Sequence, residues 1–259
     1  LPVQLNSTYQ LDIEANRLSA QGLQLAYTFE PSTDIQMELA VSYLHASQLL
    51  DGKMSGAITT DGSGNYGGQA QVDYQYDRDL LLERPVNSVT GQGLTIDLDA
   101  HWQINPLWKV GISSYDLFSL IRWKNAPYTR ARVTSSVVTF DANGFIDTQP
   151  VLSGIEGYRN HAQRLPTRTT GWIHWQRTEQ FQMGAELFSV GKLLFPRIKM
   201  KHNLSTQHQV GASWDFKADA LGLSYQYHGL QLTFISDNLN LSEAHTLGLS
   251  LSWHLPLNL

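Results

Sequence analysis

The alternation of large apolar residues with small or polar ones constrains this chain more than any other feature. In residues 246–253 every odd position is apolar and the positions between carry Gly or Ser. The same alternation recurs along the chain, in segments 10–14, 23–29, 35–43, 70–76, 94–102, 181–187, 209–216 and 221–228. A period of two is that of a β-strand, whose successive side chains point to opposite faces. The sequence therefore predicts an all-β protein.

Composition narrows the class of β protein. Charged residues make up 16% of the 259 residues, and mean hydropathy is −0.26; soluble domains carry roughly 25% charged residues. Low charge without a high apolar content argues against a soluble sandwich with an apolar core. There is no apolar run near the ~20 residues of a membrane helix. With no cysteine, disulfides and thiolate metal sites are excluded. The net charge of −5 and the lack of a basic patch with interleaved aromatics predict no nucleic-acid partner.

The last alternating segment also carries a specific pattern of four residues. Thr246 is polar, Gly248 follows two positions on, and Leu251 and Trp253 are apolar with the last one aromatic. This pattern resembles the C-terminal assembly signal of Gram-negative outer-membrane β-barrels, although residues 254–259 follow the aromatic here. Together with the alternation, the resemblance covers nearly the whole chain.

The resemblance implies a fold, a location and partners. We expect a single domain over residues 1–259, an antiparallel up-and-down transmembrane β-barrel. The alternating segments predict 12 to 16 strands, with 14 favoured because bacterial barrels have even numbers. The implied location is the outer membrane of a Gram-negative cell, reached after export with a cleaved signal peptide. The implied partners are outer-membrane lipid and the barrel assembly machinery, with the oligomeric state open.

Three segments interrupt the strand rhythm. Residues 77–92 are charged and rich in turn residues, which predicts an exposed loop. Residues 143–167 form the longest irregular segment, which we expect to be a plug, a lid or a surface loop. Residues 115–123 are largely apolar on both faces, so no face can be assigned to them from the pattern.

The apolar residues of the alternating segments are called here the apolar phase, and the polar or small residues between them the polar phase. If the apolar phase faces lipid, the polar phase lines an interior. The following residues are the candidate lumen-lining set: Asp12, Glu14, Glu38, Asp73, Asp97, Asp99, His101, Arg130, Arg132, Arg197 and Lys199. An acidic wall facing a basic wall would set a transverse field across a wet lumen. The alternative is that these charges pair and fill a closed interior, because buried charges need partners.

Aromatic residues lie mostly at the ends of the alternating segments. The set is Tyr9, Phe29, Tyr43, Tyr76, Trp102, Trp108, Phe140, Trp175, Phe181, Phe216, Tyr227 and Trp253. Their position predicts aromatic girdles at the two membrane interfaces. The alternative is that aromatics simply favour strands.

Signals for catalysis are weak. His101 follows Asp97 and Asp99 on the same phase, but no Ser, His and Asp spacing matches a known hydrolytic pattern. No histidine pair has metal-ligand spacing. We therefore expect no enzyme activity, no metal and no cofactor.

Several functions fit these patterns. The first is a porin-like channel or transporter for small solutes through a polar, charge-lined lumen. A variant resembles the fatty-acid transporters and carries hydrophobic molecules, with residues 115–123 and 143–167 as its gate. A second class is a non-conducting barrel that serves as scaffold or assembly partner in an envelope complex.

Overall fold

The structure, a computed structural model, describes residues 4–80, 82–135 and 151–253. Those residues form thirteen β-strands in one antiparallel sheet. The strands are β1 (Thr8–Ser32), β2 (Ile35–Thr60), β3 (Tyr66–Tyr76), β4 (Gly91–Asn105), β5 (Trp108–Ser135), β6 (Val151–Gln163), β7 (Arg168–Gln176), β8 (Phe181–Val190), β9 (Leu193–Asn203), β10 (His208–Asp215), β11 (Ala220–Tyr227), β12 (Leu230–Ser236) and β13 (Leu247–Trp253). The all-β prediction is confirmed, and the thirteen strands of the described residues lie within the predicted range of 12 to 16.

The order of strands in the sheet follows the chain in its second half. From β7 to β13 each strand pairs with the next, as hairpins do. In the first half β3 pairs with β5, β4 pairs with β2 and β5, and β6 pairs with β5. No helix in the described residues has the length and apolarity to cross a membrane.

The chain forms two compact units. Unit 1 comprises Leu1–Leu23, Ser42–Leu94 and Ser119–Leu165, and unit 2 comprises Gln24–Val41, Thr95–Phe118 and Pro166–Leu259. Strands β1, β2, β4 and β5 each contribute one part to each unit. Neither unit is therefore a continuous stretch of sequence.

Unit 1 has an interior of large side chains. Trp123 and Ile121 of β5 are 1% and 0% exposed, and they pack with Leu49 and Val89. Leu18, Leu44 and Leu165 lie against this cluster and are partly buried. Unit 1 therefore has a hydrophobic core of buried side chains that contact one another.

Unit 2 arranges its apolar residues differently. Among its described residues the only buried hydrophobic ones are Ala40 and Ala220. Its large apolar side chains lie exposed instead: Leu25 is 80% exposed, Leu249 75% and Leu223 52%. The alternation in unit 2 thus places the apolar phase on an uncovered face of the sheet.

The apolar segment 115–123 changes face within β5. Tyr115 and Leu117 are exposed in unit 2, whereas Ile121 and Trp123 are buried in unit 1. Asp116 between them is buried and has a φ of 55°, in the left-handed region. The change of face follows directly after it, where Leu117 and Phe118 are both exposed. The segment carries apolar residues on both faces because it runs through both units. Its apolar residues are exposed in unit 2 and buried or half-buried in unit 1.

Two expectations about segments were partly wrong. Residues 151–163, expected to be irregular, form β6 against β5 from Ile121 to Thr134; the turn-forming residues Gly154 and Gly157 lie inside this strand, where β5 leaves little space for a side chain. Residues 143–150 lie outside the described part. The described residues of the expected loop, 77–80 and 82–90, contain no strand, whereas its last two residues, 91 and 92, begin β4.

Two aromatics expected on the lipid-facing phase lie elsewhere. Tyr76 and Tyr74, at the end of β3, are 0% and 4% exposed. The Tyr76 hydroxyl is 2.8 Å from the Thr129 hydroxyl and accepts a hydrogen bond from Arg84 of the 77–90 segment at 2.6 Å. Tyr76 is therefore part of the unit 1 interior, and its assignment to a girdle was wrong. Phe140 lies outside the described residues.

Candidate functional site

A row of three cations follows one face of β9 in unit 2. Arg197, Lys199 and Lys201 occupy alternate positions, and Ile198 and Met200 between them are 42% and 44% exposed on the other face. Neighbouring strands place both of their carboxylates opposite Arg197 in register, and each carboxylate bonds to a different cation. Arg197 donates to Asp215 of β10 at 2.9 Å, and Lys199 donates to Glu186 of β8 at 2.5 Å.

The same face carries a small polar cavity. Its volume is about 210 Å³, and it is lined by side chains of β9 to β12 that include Lys199, Lys201, Ser213, Ser224 and Thr233. Ser213 pairs in register with Lys199, and Ser224 pairs with Thr233. The polar phase predicted from the sequence thus forms one continuous face across these strands, with hydroxyl groups beside cations.

Trp172 and His174 of β7 also lie on this face, which the sequence did not indicate. In register, Trp172 is opposite Glu186 and Gly111, and His174 is opposite Gly184. The two rings stack with centroids 4.5 Å apart. A side chain at Gly111 would collide with the Trp172 indole, so this glycine makes room for the ring. Only knowledge of the register could have revealed this cross-strand pairing of large and small residues.

The candidate acidic residues of β4 bond to nearby strands. Asp97 accepts hydrogen bonds from Gln24 Nε2 at 3.0 Å and from the backbone N–H of Asp116 at 2.8 Å. Asp99 accepts one from the Ser113 hydroxyl. His101 Nδ1 is 3.9 Å from Asp99, which is too long for a hydrogen bond.

The remaining acidic candidates are dispersed. Glu38 accepts a hydrogen bond from Thr28 at 2.9 Å in unit 2, and Asp12 and Glu14 lie exposed in unit 1. The carboxylates that pair with the cations of β9 are Glu186 and Asp215, which were not candidates. Charge compensation is therefore local, between adjacent strands, rather than between an acidic wall and a separate basic wall.

The candidates Asp73, Arg130 and Arg132 lie together in unit 1. Arg130 donates to Asp73 Oδ2 through Nε and Nη2, at 2.9 and 2.7 Å. Arg159 donates to the other oxygen of Asp73 at 2.8 Å, and Arg132 donates to Gln69 at 3.1 Å. Arg159 was missed because it lies in the segment expected to be irregular.

The terminal pattern lies on and beside the last strand. Gly248, Leu251 and Trp253 belong to β13, and Thr246 immediately precedes it. Leu251 and Trp253 are 69% and 67% exposed, on the same face as Leu249.

Groups with catalytic or metal-binding chemistry are few in the described part of the chain. His161 Nε2 is 2.6 Å from Asp51, a pair that the sequence did not indicate. In residues 4–80, 82–135 and 151–253, no three His, Asp or Glu side chains gather where they could hold a metal ion. No known protein-family model matches the chain, and no curated protein matches it significantly.

Proposed function

We propose that the protein is an outer-membrane β-barrel whose unit 2 crosses the bilayer and whose polar face lines a wet lumen for small solutes. The observation that carries this proposal is the separation of the two phases in unit 2. The apolar phase is uncovered, and the polar phase carries the cavity and the ion pairs.

Exposure of the apolar phase supports contact with lipid. Soluble monomers rarely expose contiguous apolar patches larger than a few hundred Å². Leu249, Leu251 and Trp253 on β13 continue onto Leu232 and Phe234 of β12 and Leu223 of β11 in register. Hydrocarbon would cover such a face at no desolvation cost, whereas water would penalise it.

Strand lengths support the proposal for β7, β8 and β9, which have 9 to 11 residues, whereas β10 to β13 have 7 or 8. All seven strands lie wholly in unit 2. A tilted membrane strand needs about 9–11 residues. By contrast β1 has 25 residues and would extend about 80 Å at ~3.3 Å per residue, so most of it cannot lie in hydrocarbon.

Two adjacent positions, 223 and 224, test whether the apolar phase faces lipid and the polar phase faces water. The chain has no cysteine, so Leu223→Cys and Ser224→Cys each provide a unique thiol. With a nitroxide label, position 223 should be accessible to oxygen dissolved in lipid and position 224 to a water-soluble nickel reagent. Access of the nickel reagent to both positions would contradict a lipid-facing apolar phase.

Conduction is tested with the same variants. Protein reconstituted in planar bilayers should give discrete conductance steps. A charged thiol reagent should reduce the steps of the Ser224→Cys variant and leave those of Leu223→Cys unchanged. Equal responses would contradict a lumen along the polar phase.

The second candidate function is a non-conducting scaffold in an envelope complex. It is favoured by unit 1, which has its own core around Trp123 and is built on extensions of four strands. A folded body of this kind offers a surface to a partner. A protein that passes the label test but shows no conductance would favour this function.

A further inference from the structure

A cavity of unit 1 lies on a face formed by β2, β3, β5 and β6. Its volume is about 480 Å³. The strand registers place its lining side chains in two rows across the four strands. One row is Lys53, Asp73, Arg130 and Ile155, and the other is Ser55, Gln71, Arg132 and Ser153.

Cations outnumber carboxylates around this cavity. Asp73 is the one carboxylate among its lining residues, and it already accepts hydrogen bonds from Arg130 and Arg159. In the described residues neither Lys53 nor Arg132 has a carboxylate within ion-pair distance. Three cations, Lys53, Arg130 and Arg132, thus line the cavity with one carboxylate. Arg130 and Arg159 already bind that carboxylate, so Lys53 and Arg132 are available to an anionic ligand.

A second cavity continues the surface. It has a volume of about 440 Å³ and shares Ser55, Gln71 and Arg132 with the first. It adds the side-chain amides of Gln10 and Gln69. The combined surface, named here the unit 1 groove, is therefore basic at one end and lined by amides and hydroxyls at the other.

We propose that the unit 1 groove binds an oligosaccharide that carries carboxylate or phosphate groups. Arg132 and Lys53 would bind the anionic group, because guanidinium and ammonium donors make strong charge-assisted hydrogen bonds to such oxygens. Gln10, Gln69 and Gln71 would bind sugar hydroxyls, since an amide both donates and accepts. Ile155, 65% exposed at the end of the first row, offers an apolar contact to the C–H face of a sugar ring.

This proposal goes beyond solute passage and does not depend on it. The groove belongs to unit 1, and its ligand chemistry is the same whether unit 2 conducts or not. A failed conductance experiment would leave the groove proposal intact, and a failed binding experiment would leave the channel proposal intact.

The test uses the full chain in detergent micelles and isothermal titration calorimetry. The probes are a uronic-acid oligosaccharide, a hexose-phosphate oligosaccharide, a neutral oligosaccharide of equal length and inorganic phosphate. We expect at least one acidic oligosaccharide to bind more tightly than the neutral one and than phosphate. Which of the two acidic oligosaccharides binds more tightly identifies the anionic group.

Matched substitutions locate the binding site. Lys53→Gln and Arg132→Gln should each weaken the acidic oligosaccharide roughly tenfold or more, as loss of a charged hydrogen bond predicts. Neither cation holds an ion pair, so these changes should leave the fold intact. The controls are Lys124→Gln and Arg122→Gln, exposed cations of unit 1 that do not line the groove.

Three outcomes would overturn the proposal. The first is equal weakening by control and groove substitutions. The second is equal affinity for neutral and acidic oligosaccharides, or for phosphate alone. The third is binding to anionic lipid vesicles without binding to any oligosaccharide, which would make the groove a membrane-surface contact.

Discussion

At the scale of single residues, polar side chains hold the interior of unit 1 together. Trp123 Nε1 donates to Gln163 Oε1 at 3.1 Å, and Gln163 Nε2 donates to Asn16 at 2.8 Å and to the Arg17 carbonyl at 3.1 Å. Gln163 is fully buried. The sequence could not predict this role, because glutamines are mostly exposed and its partners are distant in the chain.

Replacing this glutamine should destabilise the protein. Gln163→Leu leaves the Trp123 indole N–H and the Asn16 amide without their partner, which should cost about 1–3 kcal/mol. Urea unfolding in micelles, followed by tryptophan fluorescence, would measure the loss. The exposed Gln21→Leu is the control, and a similar loss for both variants would mean that the hydrogen-bond network contributes little.

The turn between β2 and β3 depends on one carboxylate. Asp61 accepts hydrogen bonds from the backbone N–H of Ser63 at 2.8 Å and from the Asn65 N–H and side-chain amide, both at 2.9 Å. The hydrogen bond from the Asn65 side chain holds the pKa of Asp61 below its ordinary value of 3.8. The folded turn therefore prefers the ionised carboxylate.

A lowered pKa gives the pH dependence a definite sign. The contribution of Asp61 to stability should be present above pH 3.8 and be lost as the pH falls through the lowered folded pKa. Asp61→Asn should remove this part of the pH dependence. Comparing unfolding of both proteins at pH 2.5 and pH 6 would measure it, and identical differences between the two pH values would contradict the prediction.

At the scale of strands, the alternation predicted the face of each residue best in unit 2. In β11 the apolar residues at positions 221, 223, 225 and 227 are exposed, and the residues between them are buried or half-buried. The alternation could not predict the change of face in β5, where the neighbours Leu117 and Phe118 are both exposed, or the strand β6, which contains glycines. A period-two pattern cannot indicate where a residue takes up a left-handed backbone conformation. Nor can it indicate where a glycine within a strand packs against a neighbouring strand.

Arginine on the two faces of β13 should have different effects. Leu249→Arg would place a charge in hydrocarbon and should cost about 2–4 kcal/mol if the site is near the bilayer midplane. Ser250→Arg, on the neighbouring position of the other face, should be far milder. Unfolding of both variants in lipid vesicles measures the difference, and equal costs would argue against membrane insertion of this strand.

At the scale of the whole molecule, division into two units assigns the charged candidates to separate environments. The sequence grouped Arg130 and Arg132 with Arg197 and Lys199 because all four alternate with apolar residues. The first two belong to unit 1 and the last two to unit 2. The sequence pattern does not show this division. Four strands run through both units, and the alternation of apolar and polar residues does not break at each boundary between the units.

Ion selectivity should follow the charges of unit 2 alone. Lys201→Glu should shift the reversal potential of the reconstituted channel towards cation preference, and Asp97→Asn combined with Asp99→Asn should shift it towards anions. Both shifts should shrink at 1 M salt, where the screening length is ~3 Å. Arg132→Gln in unit 1 is the control, and a shift of equal size there would contradict the assignment.

The continuity of β1, β2, β4 and β5 through both units limits how such a molecule can vary. Unit 1 cannot be gained or lost as a cassette at one loop, because it is assembled from three separate stretches of chain. Lengthening it requires matched insertions in hydrogen-bonded neighbours. Each insertion must add an even number of residues, since an odd one would turn every following side chain to the opposite face. At Asn125 of β5, which has a φ of 51°, the register with β6 shifts between Trp123 and Ala126, so the chain tolerates a change of parity there. Odd insertions should be accepted near such positions and rejected elsewhere.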